Sequence, residues 1–423
     1  MSHPLQVARV AAGALVCLLA SAARAEPWQP LGDHGVRFDL GYTGEAAANP
    51  VGGLRQDAAY AGQVYVGVDL DLARLARIPG ATVHVAATNR HGDNLAATAI
   101  GNNTSVQEIF GTQNTHLAIL TWQQKLGDHV GLEAGRTIAN VSFLSSPYYC
   151  NFQSNSACGN PTFVFKTSNF TYFPASSWGG HARAWLGSRV YLHAGVYEVN
   201  PDRKQADDHG VSFGIAHATG VVVPFEIGYA TTRANDRLPR AYQLGGWYDT
   251  GDYEDPIVDP VTGPVTRHGR SGVFARFEQL VWRPDATSAR GLGVFGVAMA
   301  RTSGRTTEDF FVEAGALWTG PLASRAEDTL GFVVNDQVLS DLALDTIRGP
   351  RVAAGGTAAI PRHEIMMELA YGAQLFRGIR VSPNLQLIVH PDQLAEPARP
   401  TDIPTAFVVG LKASIELPAL LGS

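Results

Sequence analysis

Cysteine, methionine and long apolar runs are scarce in this sequence of 423 residues, which has three cysteines and four methionines. A helix needs about 20 consecutive apolar residues to cross a bilayer; no run of that length is present, which excludes a bundle of transmembrane helices. The chain also lacks a block of basic residues, since 32 Lys and Arg are spread among 38 Asp and Glu, so no nucleic-acid partner is predicted. Glycine, by contrast, is abundant at 45 residues, which is typical of many strands joined by turns.

The first 25 residues have the features of a signal peptide. Arg9 is followed by an apolar run over residues 10–20 and then by Ala23-Arg24-Ala25, whose two alanines mark a cleavage site before Glu26. A short N-terminal anchor helix is the alternative. We therefore predict export by the Sec route and a mature chain that begins near Glu26.

Two cysteines remain in the predicted mature chain, Cys150 and Cys158. An exported protein meets oxidising conditions, so we predict a disulfide between them that closes a small loop. A metal site is the alternative, but no histidine stands beside them at ligand spacing. No metal and no other cofactor is predicted.

Apolar and polar residues alternate with a period of two along most of the chain. A clear case is the segment 63–70. One face carries the apolar residues Val64, Val66, Val68 and Leu70, and the other face carries the largely polar set Gln63, Tyr65, Gly67 and Asp69. Such strands form either a soluble sandwich with an apolar core or a membrane barrel with an apolar outer face and a wet lumen.

The number of these segments favours the barrel. About 16 to 18 of them follow one another without a domain break, within the range of bacterial outer-membrane barrels. We predict an all-β fold, a transmembrane antiparallel β-barrel of 16 strands (18 is the alternative) over residues 26–417, followed by a short tail, 418–423. Long extracellular loops and short periplasmic turns are expected. Aromatic residues at segment ends are assigned to interfacial girdles: Tyr148, Tyr149, Tyr172, Phe173, Trp178, Trp247, Tyr248 and Trp282.

The segment from Ser142 to Lys166 is long, aromatic and polar, and it contains both remaining cysteines. It has two interpretations that the sequence leaves open. It is either a constriction loop folded into the lumen or a loop on the surface.

Ten stretches, in this order, carry a resemblance to a known family: GLRQDAAY (53–60), TNRHGDNL (88–95), NNTSVQEIFG (102–111), EAGR (133–136), SSPYYCNF (145–152), CGNP (158–161), SSWGG (176–180), GVYEVNP (195–201), ELAY (368–371) and PNLQ (383–386). With them the mature chain resembles, over nearly its whole length, the carbohydrate-selective porin (OprB) family of Gram-negative outer membranes. The resemblance implies a monomer or homotrimer of 16-stranded barrels among outer-membrane lipid and lipopolysaccharide. It also implies facilitated diffusion of monosaccharides such as glucose into the periplasm.

A sugar has hydroxyl groups around its rim and an apolar C–H face, so a selective channel needs charged or amide side chains and an aromatic surface. The candidate pore residues lie on polar strand faces or in the family-like stretches: Arg55, Arg90, His91, Glu108, Glu133, Arg136, Arg183, Arg276 and Glu278. Trp178 is the first candidate for stacking and Trp122 the second. For each charge the alternative is a solvated wall that touches no sugar, and for Trp178 it is an interfacial anchor.

Three rival functions are weighed against a sugar porin. The first is a general porin for small polar solutes, and the second is an exported, soluble, β-rich binding protein. The third is an outer-membrane enzyme, which needs a nucleophile, a base and an orienting group, and no nucleophile motif is present. We predict a non-enzymatic porin for small carbohydrates.

Overall fold

The computed structural model describes residues 34–158, 161–205, 207–257 and 263–417. The predicted signal peptide and the predicted tail lie outside these ranges. No helix among the described residues is long and apolar enough to cross a membrane.

The described residues form 16 strands that follow the alternating segments of the sequence. Their bounds are β1 (Val36–Val51), β2 (Ala58–Asp71), β3 (Ala81–Gly92), β4 (Thr115–Leu126), β5 (Val130–Thr137), β6 (Ser177–Leu186), β7 (Val190–Val199), β8 (Gly220–Ala230), β9 (Arg240–Glu254), β10 (Thr266–Trp282), β11 (Gly291–Ser303), β12 (Glu308–Thr319), β13 (Thr329–Leu339), β14 (His363–Phe376), β15 (Ile379–Val389) and β16 (Ala406–Glu416).

Each strand pairs antiparallel with its neighbours in sequence, and β1 pairs with β16, so the sheet closes into a barrel. In the closing pair, Glu45 lies opposite Lys412 and Ala46 opposite Leu411. Closure gives every strand a partner on both sides, which a lipid environment demands because it offers no water to unpaired backbone groups. The predicted antiparallel barrel of 16 strands is confirmed, and the alternative of 18 is wrong.

The longest connections lie at one end of the barrel and the shortest turns at the other, which agrees with the predicted arrangement. One end carries the connections 93–114, 138–176, 200–219 and 340–362, and the other carries 127–129, 187–189 and 377–378. At 377–378 the chain reverses within two residues, and Gly378, with a φ of 75°, supplies the positive φ that such a tight hairpin needs.

Short helices interrupt these connections: α1 (Leu72–Leu75), α2 (Ala139–Ser142), α3 (Phe163–Thr167) and α4 (Asp341–Ala353), with single helical turns at Ala96–Ile100, Tyr149–Asn151 and Pro201–Lys204. Two loops at the long-loop end fold into the barrel. We call them the second loop (93–114) and the third loop (138–176), counting the turn 52–57 as the first.

The third loop packs against the inner wall through apolar side chains. Phe143, Phe163 and Phe170 are at most 2% exposed and share one buried cluster with Trp247 of β9 and Phe274 of β10. Burial of each large apolar side chain contributes roughly 1.5–3 kcal/mol, so this cluster seats the loop firmly. The described parts of the segment, residues 142–158 and 161–166, therefore lie inside the barrel, and the surface-loop interpretation is wrong.

The outer face of the barrel is apolar and the inner face polar. Val64 and Val66, which alternate with polar residues on β2, are 40% and 44% exposed on the outer face. Polar residues of the inner face, such as Gln337 and Glu368, are at most 2% exposed, because the two inserted loops cover them. The lumen is therefore narrowed by loops that bind to a polar wall.

One buried carboxylate fixes a turn at the other end of the barrel. Asp328 is 1% exposed and accepts hydrogen bonds from Arg325, from the hydroxyl of Tyr371 and from the backbone N–H of Gln374 (3.0 Å). The hydrogen bond from Arg325 lowers the pKa of Asp328 to about 2; burial opposes this shift, and Tyr371 and Gln374 assist it. An ionised carboxylate thus ties the turn 320–328 to β14.

Asp328→Asn is expected to reduce the free energy of unfolding in detergent micelles by about 1–2 kcal/mol near neutral pH, a figure discounted for the exposed Arg325. The folded-state pKa lies below the ordinary value of 3.8, so the stabilisation is complete above about pH 4 and is lost as the pH falls towards about 2. Urea titrations at several pH values should show the difference between the wild type and the variant shrinking over that range. Glu327→Gln, at an exposed neighbour, should leave the profile unchanged, and a pH-independent difference would contradict the assignment.

Candidate pore constriction

The inserted loops meet the wall of the barrel at Arg90 of β3, which is 3% exposed. Its Nε donates to the Oε1 of Gln63 (2.7 Å), and its Nη1 donates to the carbonyl of Gly111 in the second loop (3.3 Å). The guanidinium lies over the ring of Phe173 in the third loop, 5.3 Å from the centroid. One buried cation therefore joins β2, the second loop and the third loop, a role that suits a planar group with donors in its plane and a face for stacking.

Glu108, in the second loop, places a carboxylate at the same junction. Its Oε1 lies 3.9 Å from Arg90, and its side chain is 20% exposed, so it is the accessible member of this pair. The N–H of Glu108 donates to the carbonyl of Gln153 in the third loop (2.8 Å). The preceding Gln107 is buried and donates to the carbonyl of Glu45 on β1 (2.8 Å). The position of the carboxylate is thus set by contacts on three sides.

Aromatic side chains of the third loop lie beside this pair. The ring of Phe173 is 6.3 Å from that of Tyr65 on β2, and the ring of Tyr172 is 5.3 Å from that of Phe165. All four side chains are partly exposed. The assignment of Tyr172 and Phe173 to an interfacial girdle is therefore wrong, because the third loop carries both into the lumen.

Three more of the predicted girdle residues lie inside the barrel. Tyr149 and Trp247 are each 1% exposed, and Tyr148 stacks on Phe295 of β11 at 5.3 Å. Two others are exposed on the outer side, Tyr248 at 53% and Trp282 at 43%. Some of the aromatic residues assigned to the girdles thus lie on the outer surface of the barrel, and others pack inside it.

Charged residues of the inner wall hold the tip of the third loop. The carboxylate of Glu368 on β14 accepts hydrogen bonds from the consecutive backbone N–H groups of Gln153 (2.7 Å) and Ser154 (2.8 Å). The ammonium of Lys412 on β16 donates to the carbonyl of Phe152 (3.0 Å) and lies 3.2 Å from the carboxylate of Glu45. Sequence analysis did not single out these anchors, since their partners are more than 200 residues away in the chain.

A second anchor holds α3. Lys166 forms an ion pair with Glu308 of β12 and donates to Gln337 (2.8 Å) and to Thr104 of the second loop (3.1 Å). Glu308 is 1% exposed, so the pair is shielded from the solvent. The two inserted loops are therefore fastened to each other as well as to the wall.

Arg276 and Glu278, two predicted pore residues on β10, lie on the inner face. Arg276 is 8% exposed; it donates to the carbonyl of Ser145 and to the Oε1 of Gln243 (3.1 Å). The carboxylate of Glu278 lies 4.0 Å from Arg276 and is 13% exposed. Arg276 thus anchors the third loop, while part of Glu278 faces the lumen.

Glu133 and Arg183 belong to a chain of titratable groups on the inner wall. The Oε1 of Glu133 lies 3.7 Å from His181, His181 hydrogen-bonds His193 (2.9 Å), and His193 hydrogen-bonds Glu226 (3.1 Å). Arg183 lies beside the same histidine, 3.3 Å from His193. The structure therefore brings Glu133 and Arg183 together, away from the contacts around Arg90.

Arg55 lies at the rim of the barrel, in the turn 52–57. It forms an exposed ion pair with Asp57 (3.1 Å), and its Nε donates to the carbonyl of Thr98 in the second loop (2.8 Å). Arg55 thus supports the second loop from the mouth.

His91 is on the outer face, so its assignment to the pore is wrong. It follows the inward Arg90 directly, and adjacent residues of a strand point to opposite sides. Its ring stacks on Tyr42 at 6.2 Å, and Tyr42 lies opposite the outward Val64.

Arg136 and Trp178 also lie on the outer side, against their assignment to the pore. They pair with each other across β5 and β6, two residues beyond the exposed Ala134. Arg136 is buried because residues 208–215 cover it, and it donates to the carbonyl of Ser212 (2.7 Å). The indole of Trp178 donates to the carbonyl of Phe213 (3.0 Å). Both side chains therefore hold a loop against the outer surface.

Trp122, the second stacking candidate, is likewise outside. It is 42% exposed and lies opposite Val83 and Ala134 in the neighbouring strands. Its ring is on the apolar surface of the barrel, so the proposal that it stacks on sugar is wrong.

The two cysteines of the third loop are neighbours, and Cys158 is buried. A hydrogen bond with the Cys150 side chain, together with burial, raises the pKa of the Cys158 thiol. The disulfide stays a prediction, which intact-mass measurement with and without reductant will decide.

The family profile described as carbohydrate-selective porin, OprB family, matches residues 55–417. Porin B of Pseudomonas aeruginosa is 26% identical over 409 residues, which cover 90% of this chain and 87% of that protein. The high-pH structure of Pseudomonas putida OprB is similar at a TM-score of 0.81 and 26% identity, over 92% of this chain and 96% of that one. Salmonella typhi OmpF, in complex with daunomycin, shares the fold at a TM-score of 0.52 and 10% identity, over 90% and 99% of the two chains. The chain belongs to the carbohydrate-selective porin (OprB) family, and it is an outer-membrane sugar porin.

Proposed function

We propose that glucose-like monosaccharides diffuse through the constriction formed by Glu108 and the aromatic side chains Phe165, Tyr172 and Phe173. The observation that carries this proposal is the junction at Arg90, where a partly exposed carboxylate and a partly exposed ring contact the same buried guanidinium. The carboxylate accepts hydrogen bonds from sugar hydroxyls, and a ring packs against the C–H face. Neither contact is strong enough to trap the sugar. A channel requires such weak binding, because the solute must be able to leave.

In this proposal Arg90 is a positioning residue. Its donors are directed to Gln63, Gly111 and Glu108, and it is almost fully buried. It therefore acts on the sugar through Glu108 and Phe173. Glu133, Arg183 and Glu278 line other parts of the lumen wall and keep it wet.

The test is block of ion current by glucose in planar bilayers, compared with a neutral non-sugar of similar size. Glu108→Gln removes the charge but keeps the shape, so block by glucose should weaken about two- to tenfold, with little change for the non-sugar. Asp93→Asn is the matched control, because Asp93 is an exposed acid in the same loop. Equal block by both solutes in the wild type would favour the rival function, a general porin for small polar solutes.

The remaining parts of the proposal concern export, surroundings and chemistry. Residues 1–25 direct Sec export, and the mature protein lies among lipopolysaccharide as a monomer or homotrimer; N-terminal sequencing and cross-linking test these points. We also propose that the protein is not an enzyme, because it belongs to a family of porins. Release of product from ester or glycoside substrates by purified protein would contradict this.

A further inference from the structure

A cavity of about 360 Å³ lies at the mouth of the barrel, at the end that carries the long loops. The third loop contributes Asn169 and Thr171, the loop after β7 contributes Asn200 and Lys204, and the end of β9 contributes 252–254. Its volume is at the small end of the range for small-molecule pockets, about 300–1,000 Å³. The cavity is separate from the residues around Arg90.

One wall of this cavity carries a polar group without a partner. Thr171 is 5% exposed, and its hydroxyl has no hydrogen-bond partner among the described residues. A buried hydroxyl left unpaired costs free energy, so its presence needs an explanation. The backbone beside Thr171 is held against β9 by the nearby Asn169. The N–H of Asn169 donates to the carboxylate of Asp249 (2.8 Å), and its Nδ2 donates to the carbonyl of Asp252 (3.0 Å).

The other walls carry positively and negatively charged hydrogen-bonding groups and one aromatic ring. Lys204 and Glu254 both line the cavity. Tyr253 also lines it, and the guanidinium of Arg270 lies 4.4 Å from the centroid of its ring. Lys204 is exposed at the surface, yet its pKa is lowered to about 8, first by partial loss of solvation among the surrounding protein groups and then by repulsion from Arg270, against the attraction of Asp249. The lining thus carries one ammonium and two carboxylates, of which that of Asp252 is paired with His268. Opposite charges in one small cavity disfavour a simple ion as the ligand and suit a neutral molecule with many hydroxyls.

We propose that this cavity is an entry subsite that binds a neutral mono- or disaccharide before it reaches the constriction. Thr171, Lys204 and Glu254 exchange hydrogen bonds with its hydroxyl groups. The inference rests on the proposed function for the identity of the ligand, but the site is built from different residues. A weak site at the mouth raises the occupancy of sugar above the constriction without trapping it, as conduction through several sites requires.

The experiment measures glucose flux into proteoliposomes containing the full-length protein, as a function of glucose concentration. Thr171→Val, which removes the hydroxyl and keeps the shape, and Lys204→Met are each expected to raise the half-saturating concentration about two- to tenfold, with the maximal flux unchanged. Gln205→Ala is the matched control, because Gln205 is exposed in the same loop and is not part of the cavity wall. Heat-dependent gel mobility confirms that each variant is folded.

Equilibrium binding of glucose to the purified protein separates this inference from the proposed function. Binding that survives Glu108→Gln and is weakened by Thr171→Val supports the entry subsite even if the constriction shows no sugar preference. Unchanged half-saturation and unchanged binding in both folded cavity variants would overturn it. A loss of maximal flux at constant half-saturation would also overturn it, since that result assigns these residues to the constriction.

Discussion

Replacing Glu368 by glutamine is expected to loosen the tip of the third loop and to give a channel with larger, noisier conductance and weaker block by glucose. Glu368 accepts two backbone hydrogen bonds, from Gln153 and Ser154, in a site where it is 2% exposed. An amide offers one oxygen and presents its NH₂ group to the second N–H. Hydrogen bonds to charged groups contribute about 1.5–3 kcal/mol each, and a buried unpaired donor adds its own cost, so the seated state should lose about 2–4 kcal/mol.

The effect should stay local, because apolar packing holds the two arms of the loop. Phe143 and Phe163 remain buried against the wall, so the barrel itself should keep its heat-modifiable mobility. Single-channel recording in planar bilayers is the measurement, with Glu396→Gln, an exposed carboxylate of another loop, as the control. Conductance and glucose block equal to the wild type would mean that Tyr149 and Phe152 seat the tip without Glu368.

The architecture of the barrel was predictable because it rests on a local pattern. Alternation on β2 sets Val64 and Val66 apart from Gln63 and Tyr65, and the structure places the two sets on opposite faces. Repetition of that pattern, with turns between, predicted about 16 to 18 antiparallel strands, and the family resemblance implied the 16 that the structure shows. The path of the third loop was not predictable in this way, because its seating depends on contacts such as Phe163 with Trp247, which are distant in sequence.

Several residues were wrongly assigned to the pore because the alternation of side chains between the two faces of a strand was not applied to them. Arg90 and His91 are adjacent on β3, so only one of them faces the lumen. Glu133 and Arg136 are separated by an odd number of positions on β5, so the same rule places them on opposite faces. The sequence already contained this information. Applying it would have removed His91 from the predicted pore and, once Glu133 was placed inside, Arg136 as well.

The roles of the charged residues that face the lumen could be assigned only from their contacts in the folded protein. Arg276 was predicted to contact sugar, and it is directed instead to the carbonyl of Ser145. Glu368 and Lys412 have similar roles, with partners that no spacing rule connects to them. A polar face in the sequence therefore identifies the lumen wall, but it does not distinguish groups that meet solute from groups that bind an inserted loop.

Arg90→Lys is expected to abolish most of the preference for glucose while keeping the positive charge inside the barrel. An ammonium has no flat face for the ring of Phe173 and no fork of donors to bond Gln63 and Gly111 together, so Glu108 and Phe173 lose their common support. Loss of one hydrogen bond from the charged guanidinium to Gln63 or Gly111 (about 1.5–3 kcal/mol) is alone equivalent to a tenfold or larger change in an equilibrium. The ratio of glucose block to block by a neutral non-sugar should therefore fall by about tenfold, with the ion selectivity little changed.

Arg37→Lys is the matched control, because Arg37 is an exposed arginine of β1 whose ion pair with Asp69 lies outside the Arg90 contacts. Arg90→Gln extends the comparison by removing the charge as well. If Arg90 instead contacts the sugar by its charge alone, Arg90→Lys should behave as the wild type and only Arg90→Gln should lose the preference. That pattern would reassign Arg90 from a positioning residue to a binding residue, whereas equal loss in both variants supports the geometry described above.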